Sequence, residues 1–201
     1  MTNTTVTPTP NPADNQHAIH PLLESRWSPR TFSDQPIGEE HVKQLFEAAR
    51  WAASSYNQQP WRFLYAHKGS AAYDKILDCL VEFNQMWAKS APLLIVTAYE
   101  KKFDSGQDNF HALHDLGLAL GNLTVQAEEL GIALHHMAGF DRDKTKEVFN
   151  TPDSVHLTSV IAVGYYGGDV NDLPEDLQGA EKRARVRKPQ SELVFENEWA
   201  A

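Results

Sequence analysis

The sequence predicts a single α+β domain in which helices pack on a small central sheet. Three observations carry this expectation. Segments with apolar residues every three or four positions interleave with short branched and aromatic runs. At 201 residues, the chain is long enough for one well-cored domain and short for two. No internal repeat or Gly/Ser-rich linker divides it.

The elements follow in order. Residues 1–14 (MTNTTVTPTPNPAD) hold almost nothing to bury and are expected to form a disordered tail, leaving residues 15–201 as the domain. Between residues 39 and 53, Val42, Leu45, Phe46, Ala49 and Ala53 keep helical spacing behind the turn Pro36-Ile37-Gly38. A strand is predicted over 61–66, a second helix over 72–89 and a second strand over 93–99. The longest helix is expected over about 111–130, with Leu113, Leu116, Leu120, Leu123, Ala127 and Leu130 in steps of three and four. Within it Gly117 and Gly121, four apart, would admit another helix closely, while Asp115, Gln126, Glu128 and Glu129 mark a solvated face. Gly131 ends this helix, and strands over 132–137 and 157–165 complete the set.

Composition narrows the function. With 27 acidic and 18 basic residues the net charge is −9, which argues against nucleic acid or an anionic membrane as partner. A single cysteine, Cys79, excludes an internal disulfide framework and a thiolate metal cluster. Inside a predicted helix and without a basic neighbour, it reads as packed and inert. No apolar run approaches ~20 residues, and the N-terminus lacks the basic and apolar regions of a secretory signal, so a cytoplasmic location is expected. The sequence contains no G-x-G-x-x-G, P-loop, H-E-x-x-H or G-x-S-x-G motif.

Positive charge in this acidic chain is concentrated in two places. Arg26-Trp27-Ser28-Pro29-Arg30 flanks a hydroxyl with two guanidiniums, a donor set suited to phosphate. The stretch from Glu181 to Lys188 (EKRARVRK) carries five positive charges and one negative, with Arg185 and Arg187 in alternation. Each alone reads better as a solvated surface patch; together, in a chain this acidic, they suggest one anion site. A third feature, Ser54-Ser55-Tyr56-Asn57-Gln58-Gln59-Pro60-Trp61, suits recognition of a flat polar heterocycle. An ordinary helix-to-strand turn explains it as well.

Four motifs in order and spacing then carry a resemblance. Arg26-x-Ser28-x-Arg30, the Ser-Ser-x-Asn-x-Gln-Pro-Trp run at 54–61, Gly131-Ile132 followed by Gly139-Phe140-Asp141, and Arg185-x-Arg187-x-Pro189 resemble the FMN-dependent nitroreductase family over about residues 17–196. The resemblance implies a mostly antiparallel sheet flanked by helices, and a homodimer with flavin at its interface. It implies FMN as cofactor and NADH or NADPH as co-substrate, with hydride passing through FMN N5 to a nitroaromatic, quinone or related conjugated acceptor. A cofactor that carries its own redox chemistry also accounts for the missing catalytic triad.

Residue by residue, Arg26, Ser28 and Arg30 correspond to phosphate and ribityl contacts, Trp27 contributing through its backbone. Arg185 and Arg187 correspond to the basic pair that closes on the same phosphate. Asn84 corresponds to a carboxamide at the pyrimidine edge, and Ser54, Ser55 and Asn57 to a loop reaching the other subunit's flavin. Met137, Ala138 and Gly139 correspond to the backbone beside the ring. Ala138 departs from the acidic residue common there, which affects pocket polarity rather than a backbone contact. Phe103, Phe110, His111 and His136 are weaker candidates for the substrate side. Alternatives are another flavin reaction on the same fold, namely oxidative dehydrogenation, dehalogenation or flavin breakdown, or a non-catalytic phosphate-ligand-binding module that needs only the basic clusters.

Nine histidines invite a metal reading. His135 and His136 would point to opposite faces of a strand, and His111 and His114 lack a third ligand in sequence. No metal is expected.

Overall fold

A computed structural model describes residues 13–199; the expected tail therefore lies outside the described residues except for Ala13 and Asp14. The chain runs through α1 (Pro21–Ser25), α2 (Glu39–Arg50), β1 (Trp61–His67), α3 (Ala71–Cys79), α4 (Glu82–Ala88) and β2 (Leu93–Glu100). It continues through α5 (Ala112–Glu129), β3 (Ile132–Met137), α6 (Arg142–Val148), β4 (Val155–Tyr165) and α7 (Glu175–Glu181). The strands form one sheet in the order β1-β2-β4-β3, and every neighbouring pair is antiparallel.

Both faces of this sheet are covered. Leu93 and Ile95 of β2 join Ile161 and Val163 of β4 against Val42, Leu45 and Ala49 of α2 and Leu116, Ala119 and Leu123 of α5. Leu94, Val96 and Ala98 turn the other way, with Val160 and Ala162, onto Tyr73, Ile76 and Trp87 of α3 and α4 and Leu177 of α7. A strand buried on both sides needs apolar residues at every position rather than alternate ones, which is why 93–96 reads Leu-Leu-Ile-Val. Cys79 is buried at 1% exposure within this core.

Three sequence expectations are corrected. The helix predicted over 72–89 is two helices, because Leu80 and Val81 are extended (ψ 152° and 149°). Leu80 makes a bridge with Phe140, and the Val81 amide donates to the Gly139 carbonyl at 3.1 Å. The break is a docking point that neither proline nor glycine announces. Asp115 and Glu128 are not on a solvated face; they are 2% and 7% exposed. Gly117 and Gly121 meet no other helix among the described residues, since a Cβ built on either has nothing within 4 Å.

Candidate functional site

The first basic segment leaves α1 and lies beside β3, at the edge of the sheet. Nδ1 of His135 contacts the Pro29 carbonyl at 2.9 Å, and since a carbonyl only accepts, Nδ1 carries the proton. The Trp27 amide donates to the Tyr166 hydroxyl at 3.4 Å, and the two rings stack at 6.3 Å with 16° between planes. Tyr166 in turn donates to Oε2 of buried Glu128 at 2.7 Å. Within the segment, Nη1 of Arg26 donates to Ser28 Oγ at 3.1 Å.

The C-terminal basic stretch comes back onto this place. Nη1 of Arg185 donates to the Glu24 carbonyl at 2.7 Å. Burial lowers the pKa of Arg185, the charges of Arg26 and Arg187 push the same way, and Glu128 and Tyr166 oppose them. Arg26, about 160 residues away in sequence, and Arg187 thus lie close enough to act on Arg185 beside the buried Glu128 carboxylate, an arrangement that suits a polyanion. His136 joins the same neighbourhood from β3. The residue is exposed, yet the protein packed around its ring lowers its pKa to about 4, with the Arg26 charge adding to the effect.

Arg30 goes elsewhere. Its amide donates to Glu181 Oε1 at 2.6 Å and its Nη1 to Oε2 at 3.3 Å, and its guanidinium lies 6.0 Å from the Trp87 ring centre. Glu181 is 4% exposed, so this is a buried ion pair tying the segment to α7 and α4.

A second constellation forms where the α3–α4 break meets the end of β3. Asn84 is 9% exposed and donates through Nδ2 to the Gly139 carbonyl at 3.0 Å, across 55 positions of sequence. A Cβ at Gly139 would fall 2.8 Å from Val81 Cγ2 and 2.9 Å from Asn84 Nδ2, so only glycine permits this approach. The Met137 side chain is in the core at 3% exposure, while Ala138 is exposed.

The third lies at the start of α5. Ser55 donates its amide to Asp115 Oδ2 at 3.0 Å, and Ser54 Oγ accepts from the Gln59 amide at 3.0 Å. Tyr56, Asn57 and Gln59 have φ of 52°, 55° and 49°, left-handed conformations that cost non-glycine residues of order 1 kcal/mol or more each. The strained turn projects Tyr56, 91% exposed, edge-on against Phe103 at 6.2 Å. Phe110 and His111 are exposed at the same end, Phe110 at 90%.

The structure therefore brings Arg26, Trp27, Ser28, Arg185, Arg187 and His136 together, joins Asn84 to Gly139, and groups Ser54, Ser55 and Asn57 with Phe103, Phe110 and His111. It sends Arg30 to Glu181. The sequence reading missed Asp115, Glu128, Tyr166 and Glu181, three buried carboxylates and a phenol that hold these segments in place. Asp115 and Glu128 stand about 20 Å apart along α5 at 1.5 Å per residue. Each anchors one part of the site, so the loop at 54–57 and the arginine cluster sit toward opposite ends of one helix.

Two features test the fit of a phosphorylated heterocycle. The Trp27 indole Nε1 is buried without a hydrogen-bond partner among the described residues, on the residue that follows Arg26 in the chain. The donor set of guanidiniums, a hydroxyl and a carboxamide matches phosphate and a heterocycle edge. These residues fit FMN.

Comparison with known proteins bears on the same point. Residues 23–165 match the Nitroreductase family. The crystal structure of an oxidoreductase containing FMN is 34% identical, with a TM-score of 0.87 over 94% of this chain and 96% of that one. An FMN-dependent nitroreductase from Clostridium difficile is 19% identical and shares the fold, with a TM-score of 0.67 over 89% of this chain and 98% of that one. A Ralstonia nicotianae protein, provisionally named an NADH dehydrogenase/NAD(P)H nitroreductase, is 25% identical over 159 residues, spanning 70% of this chain and 80% of its own length.

Proposed function

The chain belongs to the nitroreductase family, and from that premise we propose that it is an FMN-dependent NAD(P)H oxidoreductase acting on nitroaromatic, quinone or related conjugated acceptors. The observation that carries this reading is the gathering of Arg26, Arg185 and Arg187 in an acidic chain, together with the Asn84–Gly139 notch. Bound FMN would supply hydride chemistry through its ring.

The protein's own part is to bind, orient and tune. Arg26, Ser28, Arg185 and Arg187 would hold the phosphate, with the Trp27 backbone beside it. Arg30 would contribute by fixing the segment through Glu181. Asn84 would meet the pyrimidine edge, and the backbone of Met137, Ala138 and Gly139 would line the ring. Exposed Ala138 puts a methyl group rather than a carboxylate on that side.

A homodimer follows from the same reading. The turn at 54–57 sits about 20 Å from the arginine cluster along α5, so a second copy would bring its Ser54, Ser55 and Asn57 to the flavin. The outward face of α5, with Gly117, Leu118, Gly121 and Val125 exposed, is open for that copy. His136, with Phe103, Phe110 and His111 brought by the second copy alongside its 54–57 turn, would border the acceptor.

The test is a visible spectrum of the purified protein after incubation with FMN, followed by anaerobic titration with NADH and then NADPH. A yellow protein that either reductant bleaches, and that a quinone or nitroaromatic restores, is expected. Protein that stays colourless overturns the cofactor; bound FMN that neither reductant bleaches overturns the reductase and favours another flavin reaction.

A further inference from the structure

Glu128 lies outside every motif that carries the family resemblance, yet it is a carboxylate at the arginine cluster that is almost wholly buried. A buried carboxylate costs several kcal/mol unless it is hydrogen-bonded and paired, so its place calls for a role. Its Oε2 accepts from the Tyr166 hydroxyl at 2.7 Å. That hydroxyl lies 3.4 Å from both the amide nitrogen and the carbonyl oxygen of Trp27. With its one proton committed to Glu128 at the shorter distance, the hydroxyl accepts from the Trp27 amide. The Tyr166 ring also stacks on the Trp27 indole.

We propose that Glu128 is a positioning residue for the anion cradle: through Tyr166 it fixes the backbone of Trp27, and with it the neighbouring Arg26 and Ser28, in the geometry that receives the FMN phosphate. This rests on the FMN reading above. The brace is continuous from the last turn of α5, through the residue that follows β4, to the segment beside β3. It thus ties three separate elements to one peptide unit. Burial first, and then the bond to Glu128, push the Tyr166 phenol above its ordinary range, so it stays a donor across working pH. The contact is also one-sided. No residue of the Asn84–Gly139 notch takes part, so the brace acts on the phosphate end of the cofactor and not on the ring.

That asymmetry supplies the test. Affinities for FMN and for riboflavin, which lacks the phosphate, are measured by flavin fluorescence for wild type, Glu128→Ala, Glu128→Gln and Tyr166→Phe. Glu128→Ala and Tyr166→Phe are expected to weaken FMN about tenfold, the equivalent of ~1.4 kcal/mol, while changing riboflavin by less than about twofold. Glu128→Gln keeps an oxygen acceptor for Tyr166 and is expected to stay within about threefold of wild type for FMN.

Equal loss of FMN and riboflavin would mean general loss of the fold and overturns the inference. So does wild-type FMN affinity in both Glu128→Ala and Tyr166→Phe, or a loss in Glu128→Gln as large as in Glu128→Ala. Wild type that binds no FMN overturns the cofactor reading and this inference with it. Wild type that binds FMN, with variants failing the pattern, overturns the inference alone.

Discussion

His135 shows how a single side chain links packing to pH. Its ring lies 4.4 Å from that of Trp87 and its Nδ1 meets the Pro29 carbonyl, so it is held neutral between core and candidate site. Burial is the main cause that lowers its pKa from 6.5 to about 4; the nearby Arg30 and His136 charges add to it, and the Pro29 bond opposes it. Between those two values the unfolded chain binds a proton that the folded chain refuses. The stability due to His135 is therefore complete above pH 6.5 and lost as pH falls towards 4. About 2–3 kcal/mol is at stake. Denaturant midpoints measured from pH 7 to pH 4 should fall accordingly. The decline should be shallower in His135→Asn, which keeps a donor for Pro29 and does not titrate. An identical slope in the variant would remove His135 as the source.

Residues differ in how far the chain alone reveals them. Arg26 and Arg185 are legible because positive charge is conspicuous in an acidic sequence. Asp115 was legible in principle: taking 100° per residue, it lies only about 60° from Ala112 and so on the buried stripe of α5. Glu128 was not, at about 160° from the same reference. It is covered by Tyr166, which comes from the far end of β4.

Among the elements, the alternation of helix and strand was readable because it depends on local period. The break between α3 and α4 was not, since Leu80 and Val81 leave the helix to meet Phe140 and Gly139, partners that follow about 60 residues later. The short helix α6 shows a local signal that was readable but stood inside a longer motif. Asp141 caps it, accepting through Oδ1 from the Lys144 amide at 2.9 Å. Asp141→Ala should cost about 1 kcal/mol, a shift of roughly 2–4 °C in Tm for a chain of this size. Asp141→Ser should restore most of it, as Ser also caps well. Thermal unfolding followed by circular dichroism reads both; no change in the alanine variant would show that the cap contributes nothing.

For the whole molecule, the feature that bears on assembly is the outer face of α5. Gly117, Leu118, Gly121 and Val125 share one side of the helix and are all exposed, while the opposite side is buried on the sheet. On the proposed homodimer this face meets a second copy, and Gly121→Arg should prevent it. The substitution leaves the fold intact, because a Cβ at Gly121 has open space and arginine favours helix over glycine by several tenths of a kcal/mol. Sedimentation velocity should shift from the mass of two chains to that of one, with FMN retention falling in parallel. A variant that keeps the mass and retention of wild type would place any partner elsewhere.

The sequence by itself determined what depends on near neighbours and on charge contrast. That includes the helix and strand periods, the core runs of β2 and β4, the two basic segments, and the motif order that resembles nitroreductases. Only the tertiary structure decided which of those charges meet. Arg26 and Arg30 are four residues apart, yet one joins Arg185 at Glu128 while the other is drawn to Glu181. The reason is physical: a buried carboxylate must find a cation or a donor, and which one it finds is set by chain segments that packing brings together from opposite ends of the molecule.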